Sequence, residues 1–256
     1  MSTQDVLKTL KDENIAYVDI RFTDIRGKLQ HVTVDVDLVD EDFLEEGFMF
    51  DGPSIAGWKS IENSDMKLIV DTDSAYIDPF YAEKTLCVHC SIVEPDTGEA
   101  YERDPRGTAQ KAEAYLKESG IGDVAYMGPE AEFFIFDDVR FENKINKVSY
   151  EVDAVDASWN TDTEYEMGNS GHRPGLKGGY FPVNPIDDAQ DLRSEMLSTM
   201  KSLGMKVDKH HHEVASCQHE LGLIFGTVTK QADEIQKYKY VIHNVAHAYG
   251  KSATFM

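Results

Sequence analysis

The sequence predicts an α+β protein in which short strands and amphipathic helices succeed one another. Two patterns carry this prediction. Segments such as Ala16–Thr23 and His31–Leu38 alternate apolar and polar residues, which is typical of half-buried strands. Segments such as Ala189–Leu203 place apolar residues along one side of a helix. With 256 residues, the chain is long enough for a substantial core and for one or two domains.

The first hundred residues predict a small mixed unit. In Ala16–Thr23 the polar side chains of Asp19 and Arg21 fall on the face opposite the apolar one, and a turn at Asp24–Gly27 predicts a hairpin with the next strand. From the N-terminus we predict a helix over Gln4–Asn14, strands over Ala16–Thr23 and His31–Leu38, a helix over Asp40–Gly47, and strands over Met66–Asp71 and Thr85–Val93.

A polar, turn-rich segment at Glu94–Pro105 predicts a boundary between a first domain, residues 1–104, and a second, residues 105–256. The stretch from about Glu142 to Gly179 is polar and weakly periodic, so we expect a long irregular excursion there. The regular elements predicted in the second domain are a helix over Arg106–Ser119, a strand around Glu130–Phe136, a helix over Ala189–Leu203, two strands around a loop in Met205–Phe225, a helix over Ala232–Tyr249 and the start of a strand at Ala253–Met256.

Charge is the most distinctive feature of the composition. The chain carries 47 acidic residues against 25 basic ones, a net charge of −22. Such a surface repels nucleic acid and anionic membrane, because proteins bind both through clustered lysine and arginine. No apolar run is long enough to cross a bilayer, and the first residues lack the apolar segment of a signal peptide. We therefore expect a cytoplasmic protein that binds neither nucleic acid nor membrane.

Four glutamates form the main candidate site. Glu130 and Glu132 are two residues apart at an aromatic strand, so both carboxylates should leave one face of the sheet together. Glu213 and Glu220 lie on either side of a short connection. Like charges held close together need a compensating cation or proton, which predicts a divalent-metal site. Oxygen ligands favour Mg²⁺ or Mn²⁺.

The histidine triplet His210–His212 suggests zinc as an alternative, and with it an unrelated zinc hydrolase. On a strand, however, only His211 would share a face with Glu213, which favours a site dominated by oxygen ligands.

Two other spacings look like metal motifs but favour structural roles. Cys87 and Cys90 fall on opposite faces of a predicted strand, and three cysteines in all argue against a disulfide scaffold. His243 and His247 lie four apart on the last helix, yet Asn244 occupies the place of the glutamate in a zinc-protease motif. We interpret the cysteines as half-buried and the histidines as facing solvent or an interface.

Several motifs in order give the chain a family resemblance. GPEAEFFIFD at 128–137, KGGYFPV at 177–183, HHHEVASCQHE at 210–220 and KYVIHNVAHAYGKSATFM at 239–256 together resemble glutamine synthetase of the bacterial type I form, in its alphaproteobacterial branch. FDGPSIAGW at 50–58 is similar to the N-terminal loop of the family. The resemblance implies a β-grasp-like N-terminal domain followed by the first part of an antiparallel-sheet, barrel-like catalytic α/β domain.

The resemblance also implies roles for individual residues. Glu132, Glu213 and Glu220 would bind one Mg²⁺ or Mn²⁺ ion and Glu130 a second, whose other ligands would follow Met256. Asp51 would bind ammonium and take its proton. Asp208 and Phe225 would lie near ATP, although simple alternation puts Asp208 on the face opposite Glu213, so that a bulge is needed.

The activity implied is that of an ATP-dependent carbon–nitrogen ligase. It would transfer phosphate from ATP to L-glutamate and let ammonia displace it, giving L-glutamine in a double hexameric ring of identical subunits. Two alternatives remain: a related ligase that uses an amine or polyamine, and a non-catalytic scaffold or regulatory paralogue. Retention of all four glutamates argues against the paralogue. Since family members are nearly twice this length, we expect residues 1–256 to be an N-terminal portion that is inactive alone and exposes sheet edges.

Overall fold

The computed structural model describes residues 1–159, 163–166, 168–169 and 171–255, apart from the side chain of Asn63. Within these residues the α-helices are α1 (Thr3–Asp12), α2 (Glu41–Glu46), α3 (Pro105–Glu118), α4 (Gln190–Ser202) and α5 (Val228–Ala248). The strands are β1 (Tyr17–Thr23), β2 (Leu29–Asp35), β3 (Phe48–Asp51), β4 (Asp65–Ile77), β5 (Thr85–Val93), β6 (Tyr126–Met127), β7 (Glu132–Phe136), β8 (Asp138–Lys144), β9 (Lys147–Asp153), β10 (Val207–His212), β11 (Gln218–Leu223), β12 (Gly226–Thr227) and β13 (Ser252–Thr254).

The chain divides into two compact units, one of residues 1–127 with 227–233, the other of residues 128–226 with 234–256. Helix α3 therefore groups with the first unit, whereas the predicted boundary precedes it. That boundary, after residue 104, stays a prediction about domains. Within the described residues, no helix combines the length and apolar character needed to span a membrane.

The first unit is built on a five-stranded sheet in the order β2-β1-β5-β4-β3. Strands β1 and β5 pair in parallel and the other neighbours are antiparallel, so the predicted β1–β2 hairpin is confirmed. Helix α1 begins at a capping box formed by Ser2 and Asp5, and it buries Val6 and Leu10 in the core of this unit.

Strand β1 is buried on both faces, although its alternation suggested one apolar and one polar face. Arg21 donates to Asp19 at 2.7 Å and to Asp78 at 2.9 Å, and both carboxylates are buried with it. Charged residues can occupy an interior position when they are paired in this way. The alternation correctly identified Asp19 and Arg21 as polar, but both side chains are buried rather than exposed.

The second unit contains a four-stranded antiparallel sheet in the order β10-β11-β7-β13. Helix α4 buries Leu192, Met196 and Met200, and α5 buries Tyr238 and Ile242. The helices and strands predicted around this sheet are present, with α5 starting four residues earlier than expected. Of the predicted last strand, Met256 lies outside the described residues.

The expected irregular excursion after Glu142 is wrong over its first part. Strands β8 and β9 form a regular antiparallel hairpin from Asp138 to Asp153. Most of its side chains are exposed, including Phe141 at 78% and Tyr150 at 80%. A hairpin that buries so little gives no clear half-buried period, which is why the sequence pattern looked irregular.

Candidate functional site

Strand register brings two of the four glutamates together with one histidine. His211 on β10 lies opposite Glu220 on β11, and Glu220 lies opposite Glu132 on β7. Residues directly opposite one another project from the same face of a sheet. We call the side that carries Glu132, His211 and Glu220 the front face.

Glu213 joins this row from the turn that follows β10. Its backbone N–H donates to Gln218 O at 2.7 Å, which keeps the chain beside β11. His211 Nδ1 lies 3.4 Å from Glu213 Oε1, and His211 Nε2 lies 3.7 Å from Glu220 Oε2. One possible ligand atom from each of His211, Glu213 and Glu220 lies within 4.8 Å of the others. As the alternation predicted, His211 is the histidine of the triplet that reaches this cluster.

The cluster is buried and short of positive charge. Glu213 and Glu220 are each 8% exposed. Burial raises the pKa of Glu220, and the charges of Glu213 and Glu130 raise it further against the opposing effect of His211. In the described part of the chain, neither Glu213 nor Glu220 forms an ion pair with a lysine or arginine. Such an arrangement suits a divalent cation.

Glu132 and Glu130 occupy different local settings. Glu132 opens β7 and accepts a hydrogen bond from the side chain of Gln218. Glu130 precedes the strand, so the expectation that one strand carries both residues is not met. It instead lines a cavity of about 220 Å³ with Glu220.

The same cavity contains both residues predicted to lie near a nucleotide. Its lining includes Asp208, Lys209 and Phe225. The register of β10 with β11 shifts between Val207 and His210, which is the bulge that the sequence required for Asp208. Phe225 is 64% exposed and supplies an aromatic surface beside the carboxylates.

The opposite side of these strands, the back face, has different chemistry. Here His212 lies opposite His219, and His219 opposite Phe133, all three buried. His212 Nε2 lies 2.9 Å from Asp156 Oδ2, and its Nδ1 lies 2.6 Å from Glu213 O.

Buried Arg193 of α4 completes the back face. It forms an ion pair with Asp187 and donates to His219 Nδ1 at 3.1 Å. Because arginine can only donate, His219 Nδ1 must accept, and the proton of the neutral ring is on Nε2. Asp156, His212 and His219 are near enough to one another to hold a metal. The protonated Nε2 and the adjacent guanidinium make a structural role the better interpretation.

A loop that the sequence analysis did not assign to the site covers part of the front face. Tyr180 and Phe181 stack on each other, and the Phe181 ring centroid lies 4.8 Å from that of His211. The loop passes so close to β10 that a Cβ on Gly179 would lie 2.4 Å from Glu213 O. The paired glycines of KGGYFPV were the signal that could have located this close approach.

Asp51 belongs to the first unit, where it ends β3. Its carboxylate accepts from the backbone N–H of Ser54 at 3.2 Å and from the Ser54 hydroxyl. The side chain is exposed. A fixed, exposed carboxylate of this kind can bind a small cation or accept a proton.

The cysteines and the two histidines of the last helix take no part in the front-face cluster. Cys87, Cys90 and Cys217 are free and buried, more completely than the half-buried positions expected for the first two. His243 packs edge-on against Phe255, and neither it nor His247 belongs to a potential metal cluster among the described residues.

Comparison with known protein families gives two matches that together span most of the chain. The model of the glutamine synthetase catalytic domain matches residues 102–256. The model of the glutamine synthetase β-grasp domain matches residues 14–95.

Individual proteins agree with these matches. A glutamine synthetase of Cereibacter sphaeroides is 77% identical over 252 residues, which cover 98% of this chain and 54% of the relative. A glutamine synthetase of Rhodobacter capsulatus is 74% identical over 255 residues, which cover all of this chain and 58% of the relative. A cryo-EM structure of Plasmodium falciparum glutamine synthetase has a TM-score of 0.92 at 25% identity, over all of this chain and 50% of the other. The chain thus spans about half the length of the curated relatives it matches.

Proposed function

Since the chain belongs to the glutamine synthetase family, we propose that it forms part of a glutamate–ammonia ligase. The enzyme would make L-glutamine from L-glutamate, ammonia and ATP. The proposal rests on the front-face cluster, in which two buried carboxylates converge beside His211 and, within the described residues, pair with no lysine or arginine.

The donor set fits Mg²⁺ or Mn²⁺. Carboxylate oxygens are the preferred ligands of both ions. We propose that Glu132, Glu213 and Glu220 hold one ion and that Glu130 contributes to a second. When bound, such ions would offset the negative charge of the phosphates and of the acceptor carboxylate.

ATP would occupy the cavity beside Glu130 and Glu220. Phe225 offers a surface on which an adenine ring can stack, and Asp208 is aimed into the same space. In the first step the side-chain carboxylate of L-glutamate attacks the terminal phosphorus of ATP, which gives an acyl phosphate and ADP. Phosphoryl transfer of this kind depends mainly on positioning and charge.

Asp51 would serve the second step. Its carboxylate can bind ammonium and remove a proton, which leaves ammonia free to attack the acyl carbon. The new C–N bond then forms as phosphate leaves. We propose that the whole protein works in the cytoplasm as a double hexameric ring, as the family resemblance implied.

A hybrid protein tests the function. Residues 1–256 would replace the matching half of the Cereibacter sphaeroides relative, and glutamine formation from glutamate, ammonium and ATP would be measured with Mg²⁺. We expect turnover in the hybrid, and its near-complete loss in Asp51→Ala with Mn²⁺ affinity unchanged. In Glu220→Gln, Mn²⁺ affinity followed by electron paramagnetic resonance should fall about tenfold or more.

Two outcomes would reject the proposal. A folded hybrid that binds Mn²⁺ and ATP but forms no glutamine would reject the activity. Unchanged ammonium-dependent turnover in Asp51→Ala would reject the role of that residue, whereas turnover with an amine in place of ammonium would favour the alternative ligase.

A further inference from the structure

One lysine lies among the carboxylates of the cavity in the second unit. Lys209 shares the lining with Glu130, Asp208 and Glu220. Among the described residues its ammonium group forms no hydrogen bond or ion pair, and its charge offsets only part of the rise in the pKa of Glu220 that burial causes. Lys209 therefore adds a positive charge to the cavity without being paired to any one of the described carboxylates.

The bulge explains why Lys209 reaches the cavity at all. In a regular strand, neighbouring residues such as Asp208 and Lys209 point to opposite faces. The shifted register between Val207 and His210 lets both side chains turn toward β11.

Gly222 provides the space for both side chains. A Cβ built on Gly222 would lie 2.0 Å from Asp208 Oδ1 and 3.0 Å from Lys209 Cγ. Any larger residue would meet these two side chains. The bulge and the glycine together let the side chains of Asp208 and Lys209 both line the cavity.

Charge indicates what the lysine contacts. Among the residues that the structure describes, the cavity lining contains three carboxylates and one lysine, so an anionic ligand would meet the positive charge of Lys209 there. An ammonium group is a strong partner for phosphate oxygens. We propose that Lys209 contacts the polyphosphate of the nucleotide, an inference that rests on the proposed function because it takes the cavity to be the ATP site.

A comparison of charged and uncharged ligands tests this contact. Binding of Mg·ATP and of adenosine to the hybrid protein would be measured by isothermal titration calorimetry for the unmodified form, Lys209→Met and Lys209→Arg. Lys206→Met is the matched control, because Lys206 is an exposed lysine three residues earlier that does not line the cavity.

We expect Lys209→Met to weaken Mg·ATP binding about tenfold and to leave adenosine binding unchanged, since adenosine has no phosphate. Lys209→Arg should retain most of the affinity, and Lys206→Met all of it. The KM for ATP should rise in Lys209→Met while the KM for glutamate stays the same.

Three results distinguish a failure of the Lys209 contact from a failure of the proposed function. Unchanged Mg·ATP affinity in Lys209→Met would overturn the inference, and continued glutamine formation would leave the proposed function standing. Equal loss of ATP and adenosine binding would also overturn it, because that pattern indicates a structural role. If the hybrid binds ATP in a Lys209-dependent way but makes no glutamine, the contact stands and the proposed function fails.

Discussion

The two faces of the β10–β11 pair differ in how their charges are satisfied. On the back face, His212 is hydrogen-bonded to Asp156, and Arg193 is paired with Asp187. On the front face, His211 is the basic side chain within 4 Å of Glu213 and Glu220 among the described residues. Alternate residues of the same two strands thus belong to two different kinds of environment.

Whether a buried ionisable group stabilises the fold or binds a ligand depends on the partners that surround it. Buried charges persist when a partner compensates them. The back face contains such partners within the protein, so its histidines and carboxylate stabilise the fold. On the front face, the described residues pair no lysine or arginine with Glu213 or Glu220, so these carboxylates are suited to a ligand.

The largest effect should come from breaking the back-face ion pair. Arg193→Met leaves Asp187 buried without its partner, which should lower the free energy of unfolding by about 3–5 kcal/mol. Urea denaturation measures this change. Lys201→Met, at an exposed position of the same helix, is the control and should stay within about 0.5 kcal/mol of the unmodified chain. A loss below about 1 kcal/mol in Arg193→Met would mean that the back face does not stabilise the fold.

A smaller loss of stability is expected from a substitution at Gly222, which lines the cavity beside the front face. Gly222→Ala should lower the free energy of unfolding by about 1–3 kcal/mol, because the new methyl group must displace Asp208. It should also weaken ATP binding. Gly128→Ala is the control, since its Cβ would make only an ordinary contact of 3.7 Å with Phe225. Equal stability of the two variants would show that the space over Gly222 is not constrained.

The smallest loss of stability should follow a substitution in the loop that covers part of the front face. Phe181 is 58% exposed, so Phe181→Ala removes little buried area despite the contact with His211. We expect the free energy of unfolding to change by less than about 1.5 kcal/mol. Thermal denaturation can follow it, and a loss above about 3 kcal/mol would place this loop among the structural elements instead.

Much of the fold could be predicted from the sequence, because most of its elements bury one face. Periodicity located the β1–β2 hairpin and helices α1 and α4, and the ordered motifs indicated the family that the comparisons confirm. The β8–β9 hairpin was missed because most of its side chains are exposed.

The site was predictable where alternation alone decides geometry, as for His211 beside Glu213. The need for a bulge at Asp208 also followed from alternation. The sequence could not show that Arg193 fixes the tautomer of His219, or that Gly222 makes room for Lys209. Both depend on contacts between elements that are distant in sequence or on different strands.

The difference between the two faces can be tested most directly at two adjacent positions, Glu220 on the front face and His219 on the back face. The measurement is the Mn²⁺ affinity and the urea denaturation of Glu220→Gln and His219→Ala. We predict that Glu220→Gln weakens Mn²⁺ binding about tenfold or more while the free energy of unfolding is kept or raised, since a repelling charge is removed. His219→Ala should lower that free energy by about 2–4 kcal/mol, with Mn²⁺ affinity of the folded protein within about threefold of the original. Loss of stability in Glu220→Gln with unchanged Mn²⁺ affinity would contradict the account.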